Sequence, residues 1–417
     1  MIVPLLLSAA ASLHAAPGTP VSLRPDTTLV APASAVFAPP VPVVRGSDHE
    51  LASAASVGFS LTGLIHAEAA VAAEVERGAF PGAALAVGRR DHVVMERGIG
   101  NTGITDEDGP VDPDRTVYDL ASLTKVVATT TAVMLLVEDG KMDLDAPVSR
   151  YLPEFTGGNK DRVTIRHLLT HTSGLPAWAE LYAPNPQAAL ARAVATRLQS
   201  YPGDQVEYSD IGFVVLFAAA EKAAGEPVYR LLDRRVYGPL RMRSTTYQAG
   251  MGCERCASTS REHGDAFQGK VHDPIARQLG GIAGNAGLFS TAHDLARFAA
   301  MLANEGELNG VRVLKPETIR MFARRQIGTR ALGWETPNRS GSGAAGLRIS
   351  PNAFGHTGYT GTSIWIDPDR GTWAVLLANR TYETEENNHM QTLRRTVNNW
   401  VAEAADQGAI SSYGGAN

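Results

Sequence analysis

Ser122-Leu123-Thr124-Lys125-Val126-Val127-Ala128-Thr129-Thr130-Thr131-Ala132-Val133-Met134-Leu135-Leu136-Val137 is apolar or small on nearly every face once past its lysine. A helix of that composition belongs inside a core. Positions i and i+3 are neighbours on a helix, so the Ser122 hydroxyl and the Lys125 amine share the head of a buried helix. A serine hydroxyl is a poor nucleophile until a base takes its proton. Lysine at its ordinary pKa cannot be that base, but desolvation lowers the pKa and opens the role. Only Lys125, among the lysines of the chain, has a serine three residues before it. An isolated Ser-x-x-Lys is more often a first turn with a solvated lysine. The apolar run on its C-terminal side argues against solvation here.

Outward from this helix, Leu61–Arg77 has helical periodicity and stops at Gly78. Ala83–Val87 and His92–Glu96 flank Arg89-Arg90-Asp91 and read as a β-hairpin. Ser363–Ile366 and Thr372–Ala378 make a second hairpin around Asp367-Pro368-Asp369-Arg370-Gly371. Gln391–Ala404 is a closing helix. Residues from about 140 to 320 read as mainly helix and loop, with helices at Ile211–Ala224 and Ala292–Asn304. The fold class is α/β (α+β). An antiparallel sheet is flanked by helices, and a mainly helical lobe is inserted between its halves.

The chain has 417 residues, 44% of them hydrophobic, enough for a sizeable core. Its net charge of -5 and the lack of Lys/Arg runs give no nucleic-acid footprint. Residues 2–11 form an apolar stretch followed by small residues, and 1–16 resemble a secretory signal peptide, too short for a membrane span. Export to the periplasm or beyond is the expectation. Residues 17–58 read as a Pro/Ala-rich linker, 59–405 as the folded domain, and 406–417 as a flexible tail.

Other segments bear on Ser122 and Lys125. Tyr208-Ser209-Asp210 precedes the helix at Ile211; alone it reads as a cap, but a tyrosine beside a lysine can share proton transfer. Phe354-Gly355-His356-Thr357-Gly358-Tyr359-Thr360-Gly361 leads into a strand; alone it is a glycine-rich entry turn. A backbone N–H there could complete an oxyanion hole with the N–H of Ser122, which lies in a helix first turn. In Leu168-Leu169-Thr170-His171-Thr172-Ser173-Gly174-Leu175 no residue demands chemistry; His167 and His171 lack the glutamate of a His-Glu-x-x-His metal pair. Cys253-Glu254-Arg255-Cys256 is open between a local disulfide and reduced thiols, and the spacing of His263 and His272 speaks against zinc.

Taken in order, these motifs and Gly280–Thr291 resemble the penicillin-recognising serine hydrolases. Within them the resemblance is to class C β-lactamases, D-alanyl-D-alanine carboxypeptidases of the His-Thr-Gly type and related esterases. It covers about residues 60–405. It implies acyl-enzyme formation on Ser122, with Lys125 and Tyr208 as general base and acid. The N–H groups of Ser122 and Tyr359 would form the oxyanion hole, and Asp210, His356, Thr357 and Gly358 would meet the substrate. The implied partner is a small-molecule or peptide substrate, cell-wall peptide included. No cofactor, metal, nucleic acid or stable membrane span is implied.

The chain departs from that pattern twice. Asp210 stands where asparagine is usual; an ionised carboxylate only accepts, repels anions and favours a charged Lys125. His356 stands where lysine is frequent, so carboxylate anchoring should strengthen at lower pH, unless Arg348 supplies a permanent charge. The Asp210 departure motivates the alternative of a non-turnover binding or sensor module that keeps the acylation pocket.

Overall fold

The computed structural model describes residues 43–45, 54–103, 108–250, 253–260, 267–338, 340–384, 386 and 389–413. The stretch read as a signal peptide lies outside them. The strands are β1 (Val43–Arg45), β2 (Gly82–Arg89), β3 (His92–Gly100), β4 (Tyr118–Asp119), β5 (Thr246–Tyr247), β6 (Leu288–Ser290), β7 (Glu307–Leu308), β8 (Val311–Arg312), β9 (Phe354–Thr357), β10 (Ser363–Asp367) and β11 (Thr372–Ala378). The helices are α1 (Leu61–Glu76), α2 (Thr131–Glu138), α3 (Ile165–Leu169), α4 (Pro186–Ala195), α5 (Asp210–Ala224), α6 (Val228–Leu232), α7 (Pro274–Gln278), α8 (Ala292–Ala303), α9 (Pro316–Ala323) and α10 (His389–Tyr413).

The main sheet runs β1-β3-β2-β11-β10-β9, and every neighbouring pair is antiparallel. Both hairpins expected from the sequence are present, and β2 pairs with β11, joining the two ends of the domain. Strand side chains alternate between faces. In β11, Ala374, Leu376 and Ala378 pack with β2 residues Ala83, Leu85 and Val87 in one core layer, which also holds Leu64 and Val71 of α1 and Leu393 and Val397 of α10. Trp373, Val375 and Leu377 point the other way, into the large core of the helical lobe, with Leu295 and Phe298 of α8. The Ser122 helix lies deep in that second core, and the lobe between β3 and β9 is mainly helical, as its patterning requires. The helical run Ala121–Glu138 is long and apolar enough to cross a membrane, yet 83% of it is buried within this fold, as a core helix is.

Two boundaries differ from the sequence reading. Val43–Arg45, within the stretch read as linker, forms the edge strand β1 against Ile99, Gly98 and Arg97. An edge strand bonds on one side only, so a Pro-rich approach does not prevent pairing. At the other end α10 runs through Tyr413, past the expected start of a flexible tail. Gly408, which looks like a helix breaker, is a packing contact: a Cβ there would come within 2.2 Å of the Gly58 carbonyl oxygen.

Candidate active site

Ser122 is held by the segment just before it. Ala121 adopts a left-handed φ of 46°, a conformation costly for a residue with a Cβ. Its N–H donates to Asp119 Oδ1 at 2.9 Å, and the His272 N–H donates to Asp119 Oδ2 at 2.7 Å. Burial pushes the Asp119 carboxyl up to about 6, against the pull of those two donors. The hydroxyls of Thr360 and Thr362 donate to the carbonyls of Asp119 and Leu120 at 2.7 and 2.9 Å. Gly358 closes the same contact, since a Cβ there would meet the Leu120 carbonyl at 2.3 Å. The backbone that carries the nucleophile is thus clamped by the turn after β9.

Past Ser122 the helix widens into a π-helical turn over Lys125–Thr130 before it regularises as α2. Such turns recur at functional sites, where they displace a side chain from its regular position. Lys125 is fully buried. Its Nζ lies 3.0 Å from Ser122 Oγ, 2.6 Å from Asp210 Oδ1 and 3.0 Å from the Asn285 carbonyl oxygen. An ammonium has three donors, and these partners, with the Tyr208 phenol also in hydrogen-bond reach, leave none of them unsatisfied. Burial pulls the Lys125 pKa down, but the Asp210 carboxylate and Tyr208 outweigh it, so the pKa stands above the usual lysine value. Desolvation alone therefore does not set this lysine, and the expectation of a burial-depressed amine is corrected.

Tyr208 is oriented by a platform built from residues 168–175. His171 Nδ1 accepts the Ser209 N–H at 3.0 Å, which leaves the proton of the neutral ring on Nε2. Burial holds the His171 pKa well below the ordinary value. Its ring lies 4.5 Å from that of Tyr208. The Ser209 hydroxyl donates to the Pro176 carbonyl and accepts from the Gly212 N–H, and the Asp210 N–H donates to the Ala177 carbonyl. Burial raises the Tyr208 pKa, while Lys125 and Ser122, within reach of the phenol, lower it. Lys125 Nζ sits 4.9 Å from the centre of the phenol ring. Sequence reasoning weighed His171 only as half of a metal pair with His167, and did not mark out Asn285. Their signal lay in the segments 168–175 and 280–291, quoted for resemblance without a role.

On the far side, His356 is buried, and its Nδ1 lies 2.8 Å from the Thr357 carbonyl, which can only accept. Burial lowers the His356 pKa to about 4. The ring is neutral, its Nε2 is a bare acceptor without a partner, and it cannot anchor a carboxylate by charge near neutrality. Thr357, Gly358 and Tyr359 line the same cleft as Ser122 and Tyr208. Gly358 spends its N–H on Thr362 and its carbonyl on Arg394. Positive charge here comes from Arg330, Arg380 and Arg394, balanced in part by Glu335 and Glu386. Arg348 is elsewhere, 3.4 Å from Glu403.

Ser122, Tyr208 and Tyr359 also border a second cleft of about 780 Å³, which Asp210 and Asp273 line. Away from both, Glu96, Asp114 and His293 bring donor atoms within 4.8 Å of one another. The Arg297 guanidinium lies 3.3 Å from His293 Nε2, so this cluster already carries positive charge. Cys253 and Cys256 form a disulfide.

Residues 67–399 match the model of the Beta-lactamase family. A protein of Salmonella agona named "Putative D-alanyl-D-alanine carboxypeptidase" is 30% identical over 377 residues, covering 81% of this chain and 87% of its own. A similarly named protein of Salmonella typhi matches at the same identity and coverage. Among solved structures, a penicillin-binding protein homologue from Caulobacter crescentus shares the fold at a TM-score of 0.66 and 19% identity, over 83% of this chain and 99% of its own. EstCE1, a hydrolase with promiscuous acyltransferase activity, shares it at 0.66 and 22% identity, over 81% and 98%. The chain belongs to the β-lactamase family and is a serine hydrolase of that family.

Proposed function

We propose that the protein hydrolyses a peptide or ester with a carboxylate on its leaving half, in the manner of a D-alanyl-D-alanine carboxypeptidase, through an acyl-enzyme on Ser122. The contact of Lys125 Nζ with Ser122 Oγ carries the reading. Two of the three partners of Lys125, Asp210 and the Asn285 carbonyl, can only accept. The contact with Ser122 can reverse direction, donating to the serine or taking its proton. As Ser122 attacks the carbonyl carbon, its proton passes to Lys125, and Asp210 at 2.6 Å takes one in turn. Tyr208, a neutral phenol, gives its proton to the leaving group and is recharged from Lys125. The proton lost by Ser122 thus ends on the leaving group, and water reverses the sequence to release the acyl group. The N–H groups of Ser122 and Tyr359 receive the oxyanion.

The arginines beside Thr357 support an anionic leaving half, a task His356 cannot perform. The Asp210–Lys125 pair favours a second reading, an adduct that forms without turnover, since it keeps the base protonated. Residues 2–11 and the disulfide support export of the protein to where cell-wall peptide is met. Steady-state and burst kinetics on a D-Ala-D-Ala-ended peptide, its depsipeptide and a neutral p-nitrophenyl ester test the reading. Turnover that prefers the carboxylate-bearing substrates and disappears in Ser122→Ala supports it. A burst without turnover supports the adduct, and unchanged hydrolysis by Ser122→Ala rejects both.

A further inference from the structure

Two adjacent residues, His272 and Asp273, each hold one half of the Ser122–Lys125 pair. The His272 N–H donates to Asp119 Oδ2 at 2.7 Å, and Oδ1 of that carboxylate accepts the Ala121 N–H at 2.9 Å, one residue before the nucleophile. Asp273 Oδ1 accepts from the Asn285 side-chain amide at 3.0 Å, and the Asn285 carbonyl accepts from Lys125 Nζ at 3.0 Å. Lys125 Nζ in turn lies 3.0 Å from Ser122 Oγ, which closes a ring of contacts. The ring is assembled from positions 153 and 160 residues apart at its two long crossings. It is shielded from water: Asp119 is 2% exposed, and Asn285 and Lys125 are fully buried.

The partners of Lys125 differ in kind. Ser122 reacts, and Asp210 and Tyr208 can gain or lose protons, whereas the Asn285 carbonyl does neither. That carbonyl is the fixed point against which the amine moves. Thr129 and Thr124, on the same helical run as Lys125, tie down Gly284 and Leu288 on either side of it. Asp273 reaches the Asn285 side chain, and its carboxylate is itself fixed by the Ala276 N–H at 2.7 Å, where it caps α7.

We propose that Asp273 is a positioning residue for acylation: it holds Asn285 so that the Asn285 carbonyl keeps Lys125 Nζ in line with Ser122 Oγ. The Asp119–His272 contact keys this arm to the turn that carries the nucleophile. The proposal rests on the reading that Lys125 is the base for Ser122.

Stopped-flow acylation with p-nitrophenyl acetate tests it, with thermal melts of the same preparations. Asn285→Ala keeps the cap of α7 and cuts the arm; Asp273→Ala cuts it from the other side. Each is expected to slow acylation roughly tenfold with little change in ester binding. The double variant should be no slower than either single one, because both remove the same link. Asp273→Asn offers the same acceptor oxygen and should recover most of the rate. Asp119→Asn turns an amide donor toward one of its two N–H partners and should also slow acylation. A double variant whose loss is the product of the single losses overturns the proposal and leaves the base role standing. Wild-type acylation by Asn285→Ala overturns it too, even if Asp273→Ala does not fold. Wild-type acylation by Lys125→Met removes the base role, and the proposal with it.

Discussion

Asp210 lies 2.6 Å from Lys125 although 85 residues separate them in the chain. The two sides of the pair differ: Lys125 is fully buried, whereas the Asp210 side chain is 22% exposed at the cleft. Burial favours the neutral amine, and the carboxylate favours the ammonium and prevails. The variant Asp210→Asn removes the charge that raises Lys125. The limb of the kcat/KM profile that requires a neutral Lys125 should then move to lower pH by about 1–2 units. A limb that stays in place would remove Lys125 from the base role.

His171 acts on the chemistry through Ser209 and Tyr208. His171→Ala leaves the Ser209 N–H without an acceptor, at a stability cost of about 1–3 kcal/mol. Because Tyr208 is released, kcat should fall by roughly tenfold or more while KM changes little. His171→Asn can offer a carbonyl oxygen in place of Nδ1 and should recover part of kcat. Equal losses in both variants, following stability alone, would leave His171 a packing residue.

Gly358 abuts the carbonyl of Leu120, two residues before the nucleophile. In Gly358→Ala the new methyl meets backbone, which cannot swing aside as a flexible side chain would. A loss of about 1–3 kcal/mol is expected. Activity should fall further than that loss explains, because the displaced Leu120 backbone leads directly into the helical turn that carries Ser122. Thermal melts and kcat measured on the same preparations check this.

His293 Nδ1 lies 2.9 Å from Asp114 and 3.4 Å from Glu96. Burial opposes its charge, but both carboxylates outweigh burial and raise the pKa from 6.5 to about 9. A raised folded-state pKa gives stability that is full below 6.5 and lost as pH climbs through 9. The melting temperature should therefore decline over that window, and His293→Gln should flatten the decline. A wild-type protein with no such slope would contradict the charged triad.

The elements with strong periodicity were legible in the sequence. Both hairpins, α1, α5, α8 and the start of α10 follow from apolar spacing and turn residues. The antiparallel sheet with an inserted helical lobe follows from them. Ser122, Lys125, Tyr208 and Asp210 could be named because side-chain chemistry marks them. The Asn285 contact could not, since it is made by a carbonyl that every residue carries. The sign of the Lys125 shift depends on a 2.6 Å approach that spacing along the chain does not encode. β1 was hidden because three residues beside prolines carry no alternation, and the pairing is supplied by β3.

The threonine hydroxyls that brace Asp119 and Leu120 come from residues 241 and 242 positions further on. During synthesis the nucleophile emerges long before its brace does. A nascent or truncated chain that ends before Thr360 therefore carries Ser122 and Lys125 without the brace of the finished centre. Such a chain is harmless toward whatever the finished enzyme cleaves, and activity arrives only with the last part of the polypeptide.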